Sequence, residues 1–103
     1  MKSEHYRFLV KSANPPTIEF DSRAGAVYVR FKKAAVAKTI GQGGEGMHVA
    51  VDLDSKGEVI GIEALGAKQF TIAAILRRAS VDAPHVDFAR ARHVASDLVG
   101  APE

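Results

Sequence analysis

The sequence predicts an α+β fold: an antiparallel β-meander of four to five strands over Thr17 to Leu65, with one C-terminal helix packed on a face. Three observations carry that expectation. Residues 47–65 hold two apolar arms around a turn signal. Short alternating runs precede them, separated by turn-forming Asp, Ser and Gly residues. From Thr71 onward the apolar period lengthens from that of a strand to that of a helix.

In the first arm of residues 47–65, Met47, Val49, Val51 and Leu53 alternate with His48, Ala50 and Asp52, so one set faces a core. The second arm, Val59 to Leu65, is β-branched and bounded by glycines. Between them Asp54-Ser55-Lys56-Gly57 suits a type I turn, with Asp54 accepting from the backbone ahead of it and Gly57 free to take positive φ. Two registers are open. A bulge at Gly57 pairs Asp54 with Glu58, hence Val51 with Gly61 and Asp52 with Ile60, which mixes polar and apolar residues on each face. A slip of one residue sets Val51 against Ile60 and Val49 against Ile62, with His48 and Glu63 on the other face.

In chain order, Met1 to Asn14 is ambiguous. Tyr6, Leu9, Val10 and Ala13 follow helical spacing, Tyr6, Phe8 and Val10 alternate, and the expectation adopted is an extra turn of helix. Pro15-Pro16 breaks whatever precedes. Thr17 to Phe20 is a short strand, Asp21 to Gly25 a turn, and Ala26 to Phe31 a second strand with Val27, Val29 and Phe31 opposite Tyr28 and Arg30. Lys32-Lys33 marks a tight connection to a third, weak strand over Ala35 to Ile40. Gly41 to Gly46 is a glycine-rich hairpin loop: a phosphate-binding loop needs a helix after it, and here Met47 opens a strand. Ile72, Ile75, Leu76 and Ala79 form one helical stripe, with Thr71 in the first turn and Arg77 and Arg78 at the end, where cations suit the helix dipole. Pro84 ends that element. Residues 86–96 read as a short turn leading into an edge strand, or as a second helix, and the tail from Gly100 frays.

A chain of 103 residues makes one domain, with its core over 17–80, an N-terminal extension over 1–16 and a C-terminal segment over 85–103. Apolar content of 47% and charged content of 25% argue against disorder throughout. The net charge of +2 is too small to indicate nucleic acid by itself. The absence of cysteine excludes disulfides and thiolate metal sites and is compatible with a cytoplasmic protein. No apolar run is long enough to span a bilayer, and Glu4, His5 and Arg7 stand where a signal peptide needs an apolar stretch, so no membrane association is expected.

The order Phe20-Asp21, Ala26-Val27-Tyr28-Val29-Arg30-Phe31, Val51-Asp52-Leu53-Asp54, Gly57 and Val59-Ile60-Gly61-Ile62-Glu63-Ala64-Leu65 resembles the small bacterial and archaeal family catalogued as domain of unknown function 2283. The resemblance covers residues 17–67, and Gly57-x-Val59-Ile60-Gly61-Ile62-Glu63 is its most specific part. Gly25 departs from it, standing where the family usually has an acidic residue. The resemblance implies a small β-rich fold and a bacterial cytoplasmic protein. It brings no established activity, although some relatives look like companions of small toxin-like proteins.

Several constellations invite a chemical reading. Asp52, Asp54, Gly57 and Glu63 have the spacing of a calcium loop, but Lys56 puts a cation in the ligand cage and the flanks are strands rather than helices. Tyr28, Arg30, His48, Asp52 and Glu63 are the candidate catalytic residues, since several of them project from one sheet face and an acid and a base so placed can move protons. The simpler reading is cross-strand pairing, such as Arg30 with Asp52 or Glu63. His5, His48, His85 and His93 lack ligand spacing, so no metal and no cofactor is expected. Arg77, Arg78, Arg90, Arg92 and His93 suggest a nucleic-acid footprint that Asp82, Asp87 and Asp97 dilute.

The expected function is therefore a non-catalytic interaction module, a homodimer or the partner of another small protein. The alternatives are a small enzyme using the polar cluster and a weak nucleic-acid-binding, antitoxin-like protein. Apolar residues on both faces of the strands, and a helix too short to cover one face, motivate the homodimer.

Overall fold

The computed structural model describes residues 7–21, 23–42, 48–66 and 71–95. Its strands are β1 (Phe8–Leu9), β2 (Thr17–Asp21), β3 (Ala26–Arg30), β4 (Lys38–Gln42), β5 (His48–Leu53), β6 (Val59–Leu65), β7 (Val81–Asp82) and β8 (Arg92–Ala95). One α-helix, α1, spans Ile72–Ala79, and a 3-10 turn spans Phe88–Arg90. The fold is α+β. Among the described residues a six-stranded sheet runs in the order β4-β5-β6-β3-β2-β8, and β1 and β7 form a separate parallel pair.

That order differs from a meander. β3 pairs with β6, not with β4, and β8 adds to β2 in parallel while every other pair in the large sheet is antiparallel. The physical reason lies in burial. β3 carries the fully buried Val27 and Val29, which need apolar neighbours on each side; Ile18 and Phe20 of β2 and Ile62 and Ala64 of β6 supply them. β4 is mostly exposed and contains Gly41, so it takes an edge where one ladder suffices. It also begins later than expected, at Lys38 rather than Ala35, and takes in Gly41 and Gln42. The rest of the glycine-rich loop and Met47 lie outside the described residues.

The connection from β3 to β4 passes around the tip of the β5–β6 hairpin. Phe31 and Lys32 both donate their backbone N–H to the Ile60 carbonyl, at 2.8 and 3.3 Å, and Ala37 donates to Leu53 at 2.8 Å. At the tip itself the expected turn forms: Gly57 N–H reaches the Asp54 carbonyl at 2.9 Å, Asp54 N–H reaches Glu58 at 2.9 Å, and Gly57 sits at φ +82.

Below the tip neither expected register continues. β6 holds one more residue than β5 between Asp52 and Leu53, so Leu53 faces Val59 while Asp52 faces Gly61 and Ile60 is the inserted residue. From there Val51 faces Ile62 and Val49 faces Ala64, apolar against apolar. All four are buried, and each larger one contributes about 1.5–3 kcal/mol by leaving water. Val49, Val51, Ile62 and Ala64 thus share the core face and Asp52 and Gly61 the opposite one, while Ile60, the inserted residue, is fully buried apart from the main core.

α1 covers the core face over β5 and β6, with Ile75 and Ala79 buried and Ile72 and Leu76 partly buried. Thr71 is its N-cap, accepting from Ala74 N–H at 3.0 Å, and Ser80 ends it at φ 58 with its N–H on the Arg77 and Leu76 carbonyls. The same C-terminus receives Gln42, 2% exposed, whose Nε2 donates to the Ala79 carbonyl at 2.9 Å. The helix expected before Asn14 is instead β1. Phe8 and Val10 donate to Ser80 and Asp82 at 2.9 and 2.8 Å, and the period-two pattern places Val10 in the core and Leu9 outside. The ladder with β7 outweighs a helix too short to nucleate on its own. Residues 86–95 take the turn-then-edge-strand form, Arg92 N–H joining the Pro16 carbonyl at 3.0 Å. Phe88 meets Phe31 edge to face at 6.3 Å, and His93 stacks on Phe20 at 5.8 Å.

Replacing Gln42 by Leu removes the donor and leaves the Ala79 carbonyl without that partner in a buried setting. The expected loss is about 1–3 kcal/mol of unfolding free energy, measured by urea denaturation with the unfolding slope unchanged.

Candidate functional site

The face of the large sheet opposite α1 carries the polar side chains. Thr39 of β4 faces Asp52 of β5, which faces Gly61 of β6, which faces Arg30 of β3; Tyr28 of β3 lies between Glu19 of β2 and Glu63 of β6. Asp52 accepts two short hydrogen bonds, from the Tyr28 hydroxyl at 2.8 Å on Oδ2 and from the Thr39 hydroxyl at 2.6 Å on Oδ1. Arg30 donates to Glu19 through Nε at 2.8 Å, and its guanidinium lies 4.8 Å from the centre of the Tyr28 ring. A continuous polar strip thus crosses five strands, from Thr39 on β4 to Glu19 on β2.

Tyr28 reaches Asp52 across β6 because Gly61 has no side chain. A Cβ built on Gly61 would lie 2.5 Å from Cε2 of the ring. Burial is the main reason the Tyr28 phenol resists ionisation, and its bond to the Asp52 carboxylate pushes its pKa further up. Arg30 is held more firmly protonated than usual, chiefly by its bond to Glu19. The arrangement therefore keeps a neutral phenol and a paired guanidinium at neutral pH.

Of the five residues proposed from sequence, the structure joins Tyr28, Arg30 and Asp52. Glu63 shares their face directly opposite Tyr28 but is exposed, and His48 lies at the far end of β5, exposed and opposite Leu65. The expected pairing of Arg30 with Asp52 or Glu63 is corrected: Glu19 takes the guanidinium, because β2 sets Glu19 opposite Tyr28, on the same face and two residues along from Thr17, which faces Arg30. Glu19, Thr39 and Gly61 were not singled out from the sequence. The turn over 21–25 held a signal for Glu19, since an Asp21–Ala26 closure puts Glu19 beside Tyr28. For Thr39 the hairpin loop expected over 41–46 already joins β4 to β5, but nothing local sets Thr39 rather than a neighbour opposite Asp52. Tyr28, Arg30, Glu19 and Glu63 also border a shallow open depression of about 250 Å³. A cleft of about 420 Å³ beside Leu9, Val10, Phe31 and Val59 lies away from this group.

The calcium-like spacing resolves into two separate structures. Asp52 is engaged on the polar face, whereas Asp54 is bound to the Lys32 ammonium and accepts from Lys56 and Glu58 N–H at 2.9 Å each. Lys32 also meets Glu58 at 2.8 Å, and both carboxylates raise its pKa, Asp54 the more. The bond to Lys32, followed by the turn amides, lowers Asp54 from 3.8 to about 2. Among the described residues no three His, Asp or Glu groups converge as a metal centre requires. The basic residues do not form one stripe: Arg77 and Arg78 end the helix over β5 and β6, while Arg92 and His93 lie on β8, beyond β3 and β2. Arg90 is next to Asp87 at 3.6 Å. No helix among the described residues is long and apolar enough to cross a membrane.

Residues 17–68 match the family described as "Protein of unknown function (DUF2283)". The matched region holds β2 to β6, and with them Glu19, Tyr28, Arg30, Thr39, Asp52 and Gly61. No curated protein and no solved structure matches the chain.

Two outcomes follow from this geometry. Gly61→Ala displaces the Tyr28 ring and is expected to lose about 1–3 kcal/mol by overpacking. In a Tyr28→Leu background the loss shrinks, and a double-mutant cycle in urea reads the coupling directly. The second concerns acid. Since the folded pKa of Asp54 is depressed, its contribution is complete above 3.8 and disappears as pH falls toward 2. Thermal melts of Asp54→Asn should therefore converge on those of the native chain at the acid end of that window and fall below them above it.

Proposed function

The chain belongs to the DUF2283 family, and for it we propose a non-catalytic role as a protein-interaction module, acting as a homodimer or as the partner of another small protein. One observation carries this reading: Tyr28, Arg30 and Asp52, the candidates that the fold brings together, are engaged with one another or with Glu19 and Thr39. The Asp52 carboxylate takes two hydroxyl donors, Glu19 holds Arg30, and Tyr28 is kept a neutral phenol. A general base needs a free lone pair within reach of a substrate proton and a pKa near the working pH. The Tyr28 phenol is shifted the opposite way, which weighs against the small-enzyme alternative. The separation of Arg77 and Arg78 from Arg92 and His93 weighs against a nucleic-acid-binding, antitoxin-like role.

What supports an interaction role is the surface left open. Among the described residues the large sheet ends in β4 on one side and β8 on the other, and exposed edges are templates for added strands. Leu9 and Val36 are exposed by 55% and 53%, and a partner could cover them. In this reading the compartment is a bacterial cytoplasm, consistent with the absence of cysteine.

The reading requires the polar strip to be structural. Tyr28→Phe leaves Asp52 short of one donor and should lower the unfolding free energy by about 1.5–3 kcal/mol, the usual value for a bond to a charged group. The sedimentation-equilibrium mass should stay that of the native chain. Native stability in Tyr28→Phe would count against a structural role for the strip.

A further inference from the structure

The outer edge of β4 has the properties of a self-pairing surface. Among the described residues its one hydrogen-bonded neighbour is β5, and Lys38, Thr39 and Gly41 are exposed. Natural edge strands are usually guarded by proline, bulges, charge or shortness. β4 has no proline, its ladder with β5 runs all five residues without a register shift, and its one charge, Lys38, sits at the end. β8, the opposite edge, is shorter and carries Arg92 and His93 in four residues.

We infer that two copies of this chain pair antiparallel through β4, with the twofold axis at Ile40. This rests on the interaction reading above and names its partner and its site. Ile40 faces the buried Val51 and is only partly buried, at an open end of the core; across the axis it meets the partner's Ile40. Lys38 falls opposite the neutral Gln42 of the second copy, so no like charges are opposed. On the polar face Thr39 falls opposite Gly41, where even an added Cβ meets nothing within 4 Å. An axis at Lys38 would oppose two ammonium groups. An axis between residues would join the polar face of one copy to the core face of the other. The axis at Ile40 overlaps all five residues of β4 and continues both faces. A five-residue ladder is a small interface, so the association is of the weak, transient class.

The chain has no cysteine, so single introduced cysteines report the register cleanly. Directly opposed residues bring their Cα atoms to about 4.5–5.5 Å, within disulfide reach, whereas residues two positions out of register lie beyond about 7 Å. Under mild oxidation Ile40→Cys should form a disulfide-linked dimer alone. Thr39→Cys and Gly41→Cys should each remain uncross-linked alone and join when mixed, and His93→Cys on β8 should not cross-link. Circular dichroism checks each variant's fold; the exposed Thr39 and Gly41 variants keep the test decisive even if Ile40→Cys does not fold. Sedimentation equilibrium of the native chain runs in parallel. A native dimer with this cross-linking pattern supports the inference. A native dimer without it overturns the β4 edge and leaves the interaction reading standing. A monomer at high micromolar concentration overturns both the β4 edge and the homodimer form of that reading.

Discussion

The structure depends on one inserted residue. Ile60 adds a position to β6 that β5 does not match, and below it the hairpin sets Val49 and Val51 on the core side and Asp52 on the polar side. Val49 and Val51 then meet Ala64 and Ile62, and Asp52 meets Gly61 on the reverse. The displaced carbonyl of Ile60 is used as well. It accepts from Phe31 and Lys32, so the chain leaving β3 is anchored at the bulge before it turns around the hairpin tip toward β4. Lys32, placed by that anchor, closes onto Asp54 and Glu58 and ties the tip down.

The polar face follows from the same register. Setting Gly61 beside Arg30 and Asp52 opens the space over which the Tyr28 ring lies, and the ring carries the hydroxyl to the Asp52 carboxylate. With Thr39 on the other oxygen and Arg30 held by Glu19, the strip is a satisfied network rather than an array of free acids and bases. Such networks rigidify a sheet and specify its strand order. This is why a cluster that has the composition of an active site supports a structural role instead.

With the Tyr28–Asp52 network on one face and α1 over β5 and β6 on the other, the two edges of the sheet remain open among the described residues. β8 closes the β2 side with a short cationic strand, and β4 ends the other side with a regular ladder. The sheet therefore offers chemically different edges, and the surface available to a partner is decided by which strand came to lie outermost.

Much of this was legible in the sequence because it is local. Period-two alternation located β2, β3, β5 and β6, the helical stripe and Thr71 located α1, and Asp54 to Gly57 specified the turn through side-chain and φ preferences that act within four residues. The family resemblance over residues 17–67 also stood on that local pattern, and the match over 17–68 agrees with it. Only the tertiary structure decided the rest. Short-range pattern does not say that β3 prefers β6 to β4, because that choice compares the burial of Val27 and Val29 beside different neighbours. The Ile60 bulge reflects packing of Val51 on Ile62 against the cost of an unpaired residue. Phe8–Leu9 become a strand because a β7 edge exists after the helix. The site residues divide the same way: side-chain chemistry marked Tyr28, Arg30 and Asp52, whereas Glu19, Thr39 and Gly61 acquire their roles from strand pairing, which brings distant positions to within a hydrogen bond.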